Sequence, residues 1–293
     1  MSDLGPIFVR GFSRSGGTLT VTLLDAHPDV GMSYELYPHL LLDDAGEPVG
    51  VDQALELLGR GDSIKASGQK IEDRNLRTFV LRCARGGLEL IDLQELFEEQ
   101  RDAPSFAETD ERFRFIGRCA DRARSKKAKR RWGLKCNNRF DDYLRIFPDG
   151  RFVNIVRDGR DVLASQLNTG SFKNSPEKLG KSWSATHRRF RKFLAKHPDR
   201  GFALVYEQLV SDPENHVRQL CDFLQLDFVS EMLSFHSQDL SIFQTNHLSK
   251  DRISKPIDTS KVGRWKQDLD PAQVAEFSET AKDELAHWGY VDG

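Results

Sequence analysis

The sequence has no apolar run approaching the ~18 residues that a membrane-spanning helix needs, so no such helix is expected. Cysteine is scarce and scattered: Cys83, Cys119, Cys136 and Cys221 form no C-x-x-C pair. That excludes the usual zinc and dithiol patterns, argues against a disulfide framework, and predicts reduced thiols. No cluster of histidines and carboxylates has metal-ligand spacing, so no metal is expected, and His187 and His197 read as surface histidines. Net charge is nearly absent at −2, so nothing global steers the chain to nucleic acid or an anionic membrane. The opening residues, MSDLGPIFVRG, carry no basic stretch ahead of an apolar one. No signal peptide is read there, and a cytoplasmic setting is expected. Internal repeats and low-complexity linkers are also missing.

What remains is 293 residues with 38% apolar and 30% charged content, enough for one domain over 1–293 with a real core. Its most informative stretch is PIFVRGFSRSGGTLTVTLLDAHPDV, from Pro6 to Val30. Ile7, Phe8 and Val9 predict a short buried strand. Gly11 to Thr18 forms a glycine-rich loop, and Leu19, Val21, Leu23 and Leu24 open an apolar helix running to about His27-Pro28. A strand, a glycine-rich loop and a helix in that order make an anion cradle, because loop amides and the positive helix end converge on one spot. The loop nearly matches the nucleotide-triphosphate pattern G-x-x-x-x-G-K-[ST], but Gly17 stands where the lysine belongs. That absence argues against ATP or GTP hydrolysis. Arg14 inside the loop offers a planar fork suited to a phosphate- or sulfate-like group.

This segment resembles the 5′-phosphosulfate loop of sulfotransferases that use 3′-phosphoadenosine 5′-phosphosulfate. There the pattern is roughly R-S-G-T-T-L-L followed by L-x-x-H-P. Here it is Arg14-Ser-Gly-Gly-Thr-Leu-Thr20, then Leu24-Asp-Ala-His-Pro28. The resemblance implies that Arg14, Ser15, Gly16, Gly17 and Thr18 contact the 5′-phosphosulfate. Gly17 departs from the threonine of many relatives, although some branches carry glycine.

Further along, Val30-Gly-Met-Ser-Tyr-Glu35 predicts a second strand ending in Glu35. Carboxylates at such strand ends lie where α/β sheets bind ligands, although an exposed strand-end acid is the plain alternative. Glu35 follows Arg14 by 21 residues, an interval similar to that between loop arginine and catalytic glutamate in the protein-tyrosine sulfotransferase branch. The resemblance makes Glu35 the general base. Residues 38–128 show three- and four-residue apolar spacing over Val51 to Leu58, Arg74 to Arg85 and Asp92 to Glu99. They read as a helical insertion on the ligand side of the sheet, where acceptor selectivity is expected. The basic run RARSKKAKRR, Arg122 to Arg131, is either a solvated helix face or a docking patch for an acidic acceptor. No aromatics interleave it as in a single-strand nucleic-acid groove.

Lys135 ends a short strand containing Leu134; it is a surface lysine or, by the resemblance, the cation directed at the transferring sulfuryl group. Arg151 to Val156 predicts a buried parallel strand, followed by Arg157 and a helix offering Ser165. That is a second anion site, and F-V-x-I-V-R-D-G-R-D-V-x-x-S resembles the family's 3′-phosphate motif at Arg157 and Ser165. The tyrosine enzymes have another arginine four residues on; here that position is Thr169, so one contact is missing or comes from elsewhere. Trp183 to Leu194 predicts a basic amphipathic helix, and Phe202 to Tyr206 a further buried strand. Tyr206 either contacts the adenine nucleotide or is a core tyrosine with a bonded hydroxyl. The tail HLSKDRISKPIDTSKVGRW resembles a segment that closes over the cofactor, with Ser249, Lys255 and Arg264 at matching positions and Trp265 anchoring it. Asp270-Pro271 caps a final helix.

The expectation is therefore an α/β protein with a central parallel sheet flanked by helices, in the sulfotransferase fold. It would move a sulfuryl group from 3′-phosphoadenosine 5′-phosphosulfate to an acceptor hydroxyl or amine, releasing adenosine 3′,5′-bisphosphate. The acceptor is a glycan, a lipid, a small molecule or a peptide tyrosine. A nucleotide kinase of similar architecture and a nucleotide-binding regulator without chemistry are the alternatives.

Overall fold

Ile7, Phe8 and Val9 are wholly buried, and their alternation organises the molecule. In the computed structural model, which describes residues 4–170, 174–240 and 253–290, Phe8 faces one apolar layer while Ile7 and Val9 face another. Successive side chains of a strand point to opposite faces, so a strand apolar throughout is one covered on both sides. The strand is β1, Ile7–Gly11. It is followed by α1, Gly17–Asp25, and β2, Val30–Ser33.

The long connection after β2 carries α2 (Val51–Leu58), α3 (Ile64–Lys70), α4 (Arg74–Gly86), α5 (Leu90–Glu99) and α6 (Thr109–Lys126). Next come β3 (Arg131–Lys135), α7 (Phe140–Ile146), β4 (Arg151–Val156), α8 (Gly159–Thr169) and α9 (Pro176–Lys196). The chain continues through β5 (Gly201–Val205), α10 (Tyr206–Ser211), α11 (Pro213–Leu224), α12 (Trp265–Asp268) and α13 (Pro271–His287). The five strands are all parallel, in the order β2-β3-β1-β4-β5. The chain leaves β1 toward one edge and leaves β4 toward the other. The crevice beyond their carboxyl ends is thus the topological switch point, where open α/β sheets bind ligands.

Several expected boundaries move. The second strand stops at Ser33, so Glu35 lies beyond it with a left-handed φ of 56°. The first helix ends at Asp25, because its carboxylate accepts the Met32 amide at 2.8 Å and turns the chain into β2. Residues 38–128 are helical as read, but they do more than sit at the ligand end. Phe79, Phe97, Phe113 and Phe115 pack in one cluster with Phe8, Leu134 and Phe152, so the segment also covers one face of the sheet together with α7 and α9.

Much of the basic run is engaged in ion pairs, while Arg130 stays exposed. Arg122 pairs with Glu95 and Glu99, Lys126 with Glu89 and Asp92, and Lys127 with Asp25. Arg131 is buried and donates to the carbonyls of Gly5 and Leu224, and burial pushes its guanidinium down to about 10. His187 is not at the surface either. It is fully buried on α9, its ring 4.7 Å from that of Trp183 and its Nδ1 3.3 Å from Asn154 Nδ2. A period of 3.6 residues puts His187 on the same helix face as Trp183 and Phe190, which the isolated residue does not announce.

Candidate active site

The loop between β1 and α1 is shaped by its glycines. Gly16 has φ 95°, and a Cβ there would lie 2.7 Å from the Tyr206 ring and 3.0 Å from Ile155 Cδ1. Only glycine lets this turn press against the strand behind it. The next residue begins α1, which has no side-chain cap and no acidic residue in its first turn. The first amides of a helix lack intrahelical partners, so this end is left for an anion. Arg14 also takes a left-handed φ, of 70°. A non-glycine residue held this way costs on the order of 1 kcal/mol and persists only where its surroundings enforce it.

Those surroundings are Arg157 and Ser165. Arg157, just past β4, donates from one terminal nitrogen to the Arg14 carbonyl at 3.0 Å and from the other to the Lys261 carbonyl. Arg14 Nε in turn donates to Ser165 Oγ at 3.2 Å. Burial, and then the nearby Arg157, push the Arg14 guanidinium below its ordinary value. The Arg157 guanidinium lies 4.7 Å from the Tyr206 ring centroid, and its Nε is buried without a hydrogen-bond partner among the described residues. Two desolvated guanidiniums held together are an arrangement that an anion would relieve.

Lys135 ends β3, next to β1, and donates from Nζ to Glu35 Oε1 at 2.6 Å. Its side chain runs over the loop, within 3.3 Å of where a Gly17 Cβ would sit. From α4, Arg82 donates to the Glu35 carbonyl at 2.7 Å, and its other terminal nitrogen lies 3.4 Å from Glu35 Oε2. Burial, followed by the Glu35 charge, pushes the Tyr37 hydroxyl above its ordinary value.

The loop, Glu35 and Lys135 open onto one cleft of about 670 Å³. Arg14, Gly16, Gly17, Thr18, Glu35, Lys135, Arg157, Ser165, Tyr206, Lys255 and Arg264 line it. Ser15 does not: it is buried, and its amide donates to the Phe12 carbonyl at 3.0 Å to close the turn. Ser249 lies outside the described residues. Thr169 lines the cleft, with its hydroxyl donating to the Gln166 carbonyl at 2.9 Å.

Sequence reading missed Asp161, Arg10, Arg82, Arg85 and Lys261. Asp161, on α8, accepts the amides of Gly263 at 2.8 Å and Trp265 at 2.9 Å, and so moors the segment carrying Lys261 and Arg264. Burial pushes its carboxyl above the ordinary range despite those bonds. Arg160 stacks on the Trp265 ring at 3.9 Å, so the tryptophan does anchor this segment. Asp161 stands inside the R-D-G-R-D stretch, where a signal existed. Arg82 and Arg85 had none, since they are two of many arginines on an amphipathic helix.

Comparison with known proteins bears on the family and the fold. A family model described as "Sulfotransferase family" matches residues 6–231. Protein-tyrosine sulfotransferase 1 of Homo sapiens is 24% identical over 98% of this chain and 70% of its own length. The protein-tyrosine sulfotransferase of Drosophila melanogaster is 22% identical, and this chain spans half of it while aligning over 94% of its own residues. Among solved structures, a sulfotransferase domain from the curacin biosynthetic pathway superposes with a TM-score of 0.65 at 18% identity, covering 99% of both chains.

Proposed function

The chain belongs to the sulfotransferase family, and from that premise we propose that it moves the sulfuryl group of 3′-phosphoadenosine 5′-phosphosulfate to an acceptor hydroxyl or amine. One observation carries this reading. Glu35 and Lys135 meet at 2.6 Å beside an uncapped helix end, in the same cleft as the Arg14–Arg157 pair. A proton acceptor, a cation and an anion cradle thus share one space.

The donor set fits the nucleotide. The amides opening α1, Arg14 and Lys135 suit the 5′-phosphosulfate. Arg157, whose buried Nε has no hydrogen-bond partner among the described residues, suits the 3′-phosphate together with Ser165. Thr169 brings no charge to that end; Lys255 lines the cleft to supply it, and Arg264 lines it with its guanidinium paired to Asp268 at 2.6 Å. Tyr206 packs against Gly16 and under Arg157, which suits it to the nucleotide side. The bound donor would supply an activated sulfuryl group on a weakly basic phosphate leaving group. Glu35 takes the acceptor's proton as the acceptor oxygen or nitrogen bonds to sulfur. The electron pair of the breaking sulfur–oxygen bond departs with the phosphate, and Lys135, Arg14 and the loop amides hold that developing charge.

The acceptor class is the open half. Relatives named for protein tyrosine support a peptide phenol, and glycan, lipid and small-molecule hydroxyls stand beside it. Calorimetric titration with adenosine 3′,5′-bisphosphate, against ADP with magnesium, tests the reading. Tight binding of the bisphosphate alone is expected. Preference for ADP with magnesium would instead favour a kinase, and binding of neither would remove the nucleotide assignment.

A further inference from the structure

Glu35 is gripped by two cations with different prospects. Lys135 holds Oε1 and lies against Gly17, so it borders the anion cradle. Arg82 is not among the residues lining the cleft. It closes a fork on Glu35, with one terminal nitrogen on the carbonyl at 2.7 Å and the other 3.4 Å from Oε2. Its guanidinium lies 5.1 Å from the Tyr37 ring centroid, which adds a flat face for the fork to rest on. Carbonyl and carboxylate of one residue are thereby tied to one rigid plane, and Glu35 stays at φ 56°. A left-handed glutamate needs such a tie, since its own backbone preference opposes the conformation.

An anion in the cradle gives Lys135 a competing partner. Arg82 has none on offer there. We propose that Arg82 is the positioning residue of this site: it holds the Glu35 backbone and carboxylate in place while Lys135 passes from Glu35 to the anion. The fork itself stands on geometry alone; the exchange of partners rests on the cofactor reading above. Among the described residues, the charged and titratable groups facing Glu35 include Lys135 from β3, Arg82 and Arg85 from α4, and the Tyr37 hydroxyl after β2. When Lys135 turns away, Arg82 still holds the carboxylate in place, and the loss of one ion-pair partner makes that carboxylate a better proton acceptor. Proton abstraction is then favoured only in a loaded site.

The test follows the Glu35 carboxyl by carbon-13 NMR pH titration in the full chain, with and without adenosine 3′,5′-bisphosphate; Glu35→Gln assigns the signal. In the free protein, Arg82→Gln is expected to move the titration midpoint up by about one pH unit, with Arg82→Lys moving it less. Addition of the bisphosphate to the unsubstituted protein is expected to move the midpoint up as Lys135 leaves. An unchanged midpoint in both Arg82 variants would reduce Arg82 to scaffolding and overturn the positioning role. Bisphosphate binding in calorimetry with no movement of the midpoint would overturn the partner exchange. If the bisphosphate does not bind at all, the cofactor reading fails and the exchange with it, while the free-protein arm still decides the role of Arg82.

Discussion

The side chain of Lys135 crosses Gly17 so closely that a Cβ on the glycine would lie 3.3 Å from Lys135 Cε. Nucleotide-triphosphate loops carry their phosphate-reaching lysine at this loop position. Here the position is glycine, and a lysine reaches the same cradle from the end of β3.

That contact predicts the outcome of Gly17→Ala. The new methyl must displace Lys135 Cε by a few tenths of an ångström. A misplacement of ~1 Å at a reacting centre costs up to ~10²-fold in rate. A roughly three- to tenfold fall in kcat is expected, with bisphosphate affinity changing less. Steady-state kinetics beside calorimetry check this, and equal kcat values would show that the lysine position is uncritical.

Glu35→Gln removes the proton acceptor but keeps size and shape. Turnover should fall by about 10²- to 10⁴-fold, the usual contribution of general-base catalysis. Bisphosphate binding should survive. Retained turnover would take Glu35 out of the base role.

Arg157→Ala removes the fork that joins Arg14 to Lys261. Affinity for adenosine 3′,5′-bisphosphate should drop far more than affinity for adenosine 5′-phosphate, since only the former carries the 3′-phosphate. Equal losses would mean that Arg157 shapes the loop without reading the 3′ position.

Asp161→Asn leaves one acceptor oxygen where two amides now donate. The segment around Gly263 and Trp265 should loosen. Amide hydrogen exchange at those residues should speed up, and nucleotide should dissociate faster while the global melting temperature moves little. Unchanged exchange would place the mooring elsewhere, for example in the Arg160–Trp265 stack.

His187 predicts a pH dependence. Burial, followed by the nearby Arg10 charge, pushes its imidazole down from 6.5 to about 3. The folded state keeps it neutral while the unfolded state takes up a proton below about 6.5. Stability therefore declines as pH falls from 6.5 toward 3. The slope is about 1.4 kcal/mol per pH unit, hence roughly 2 kcal/mol by pH 5. Urea melts of the protein and of His187→Asn at pH 7 and pH 5 should differ by this amount. A parallel decline in both would assign the pH effect to other groups.

The amino-acid sequence by itself determined the parallel α/β frame, because Ile7–Val9 are apolar at every position and Phe152–Val156 at every position but Asn154, and a strand covered on both faces accounts for that. It also determined the anion cradle, since Gly16, Gly17 and an apolar helix start form a local pattern whose geometry needs no distant partner. Arg14, Lys135 and Arg157 were legible because each stands in the loop or at the end of a strand, where this topology gathers ligands, and Glu35 through its interval from Arg14 in the resemblance. Other features were decided only by tertiary structure. Glu35 steps past the end of β2 into a left-handed turn because Arg82, 47 residues later, holds its carbonyl there. The basic run from Arg122 turns inward because carboxylates of α5, and Asp25 at the end of α1, lie within reach. His187 is buried because α9 lays that face on the core. Local pattern specifies what the backbone does over a few residues; which charge meets which across dozens of residues is set when the layers pack.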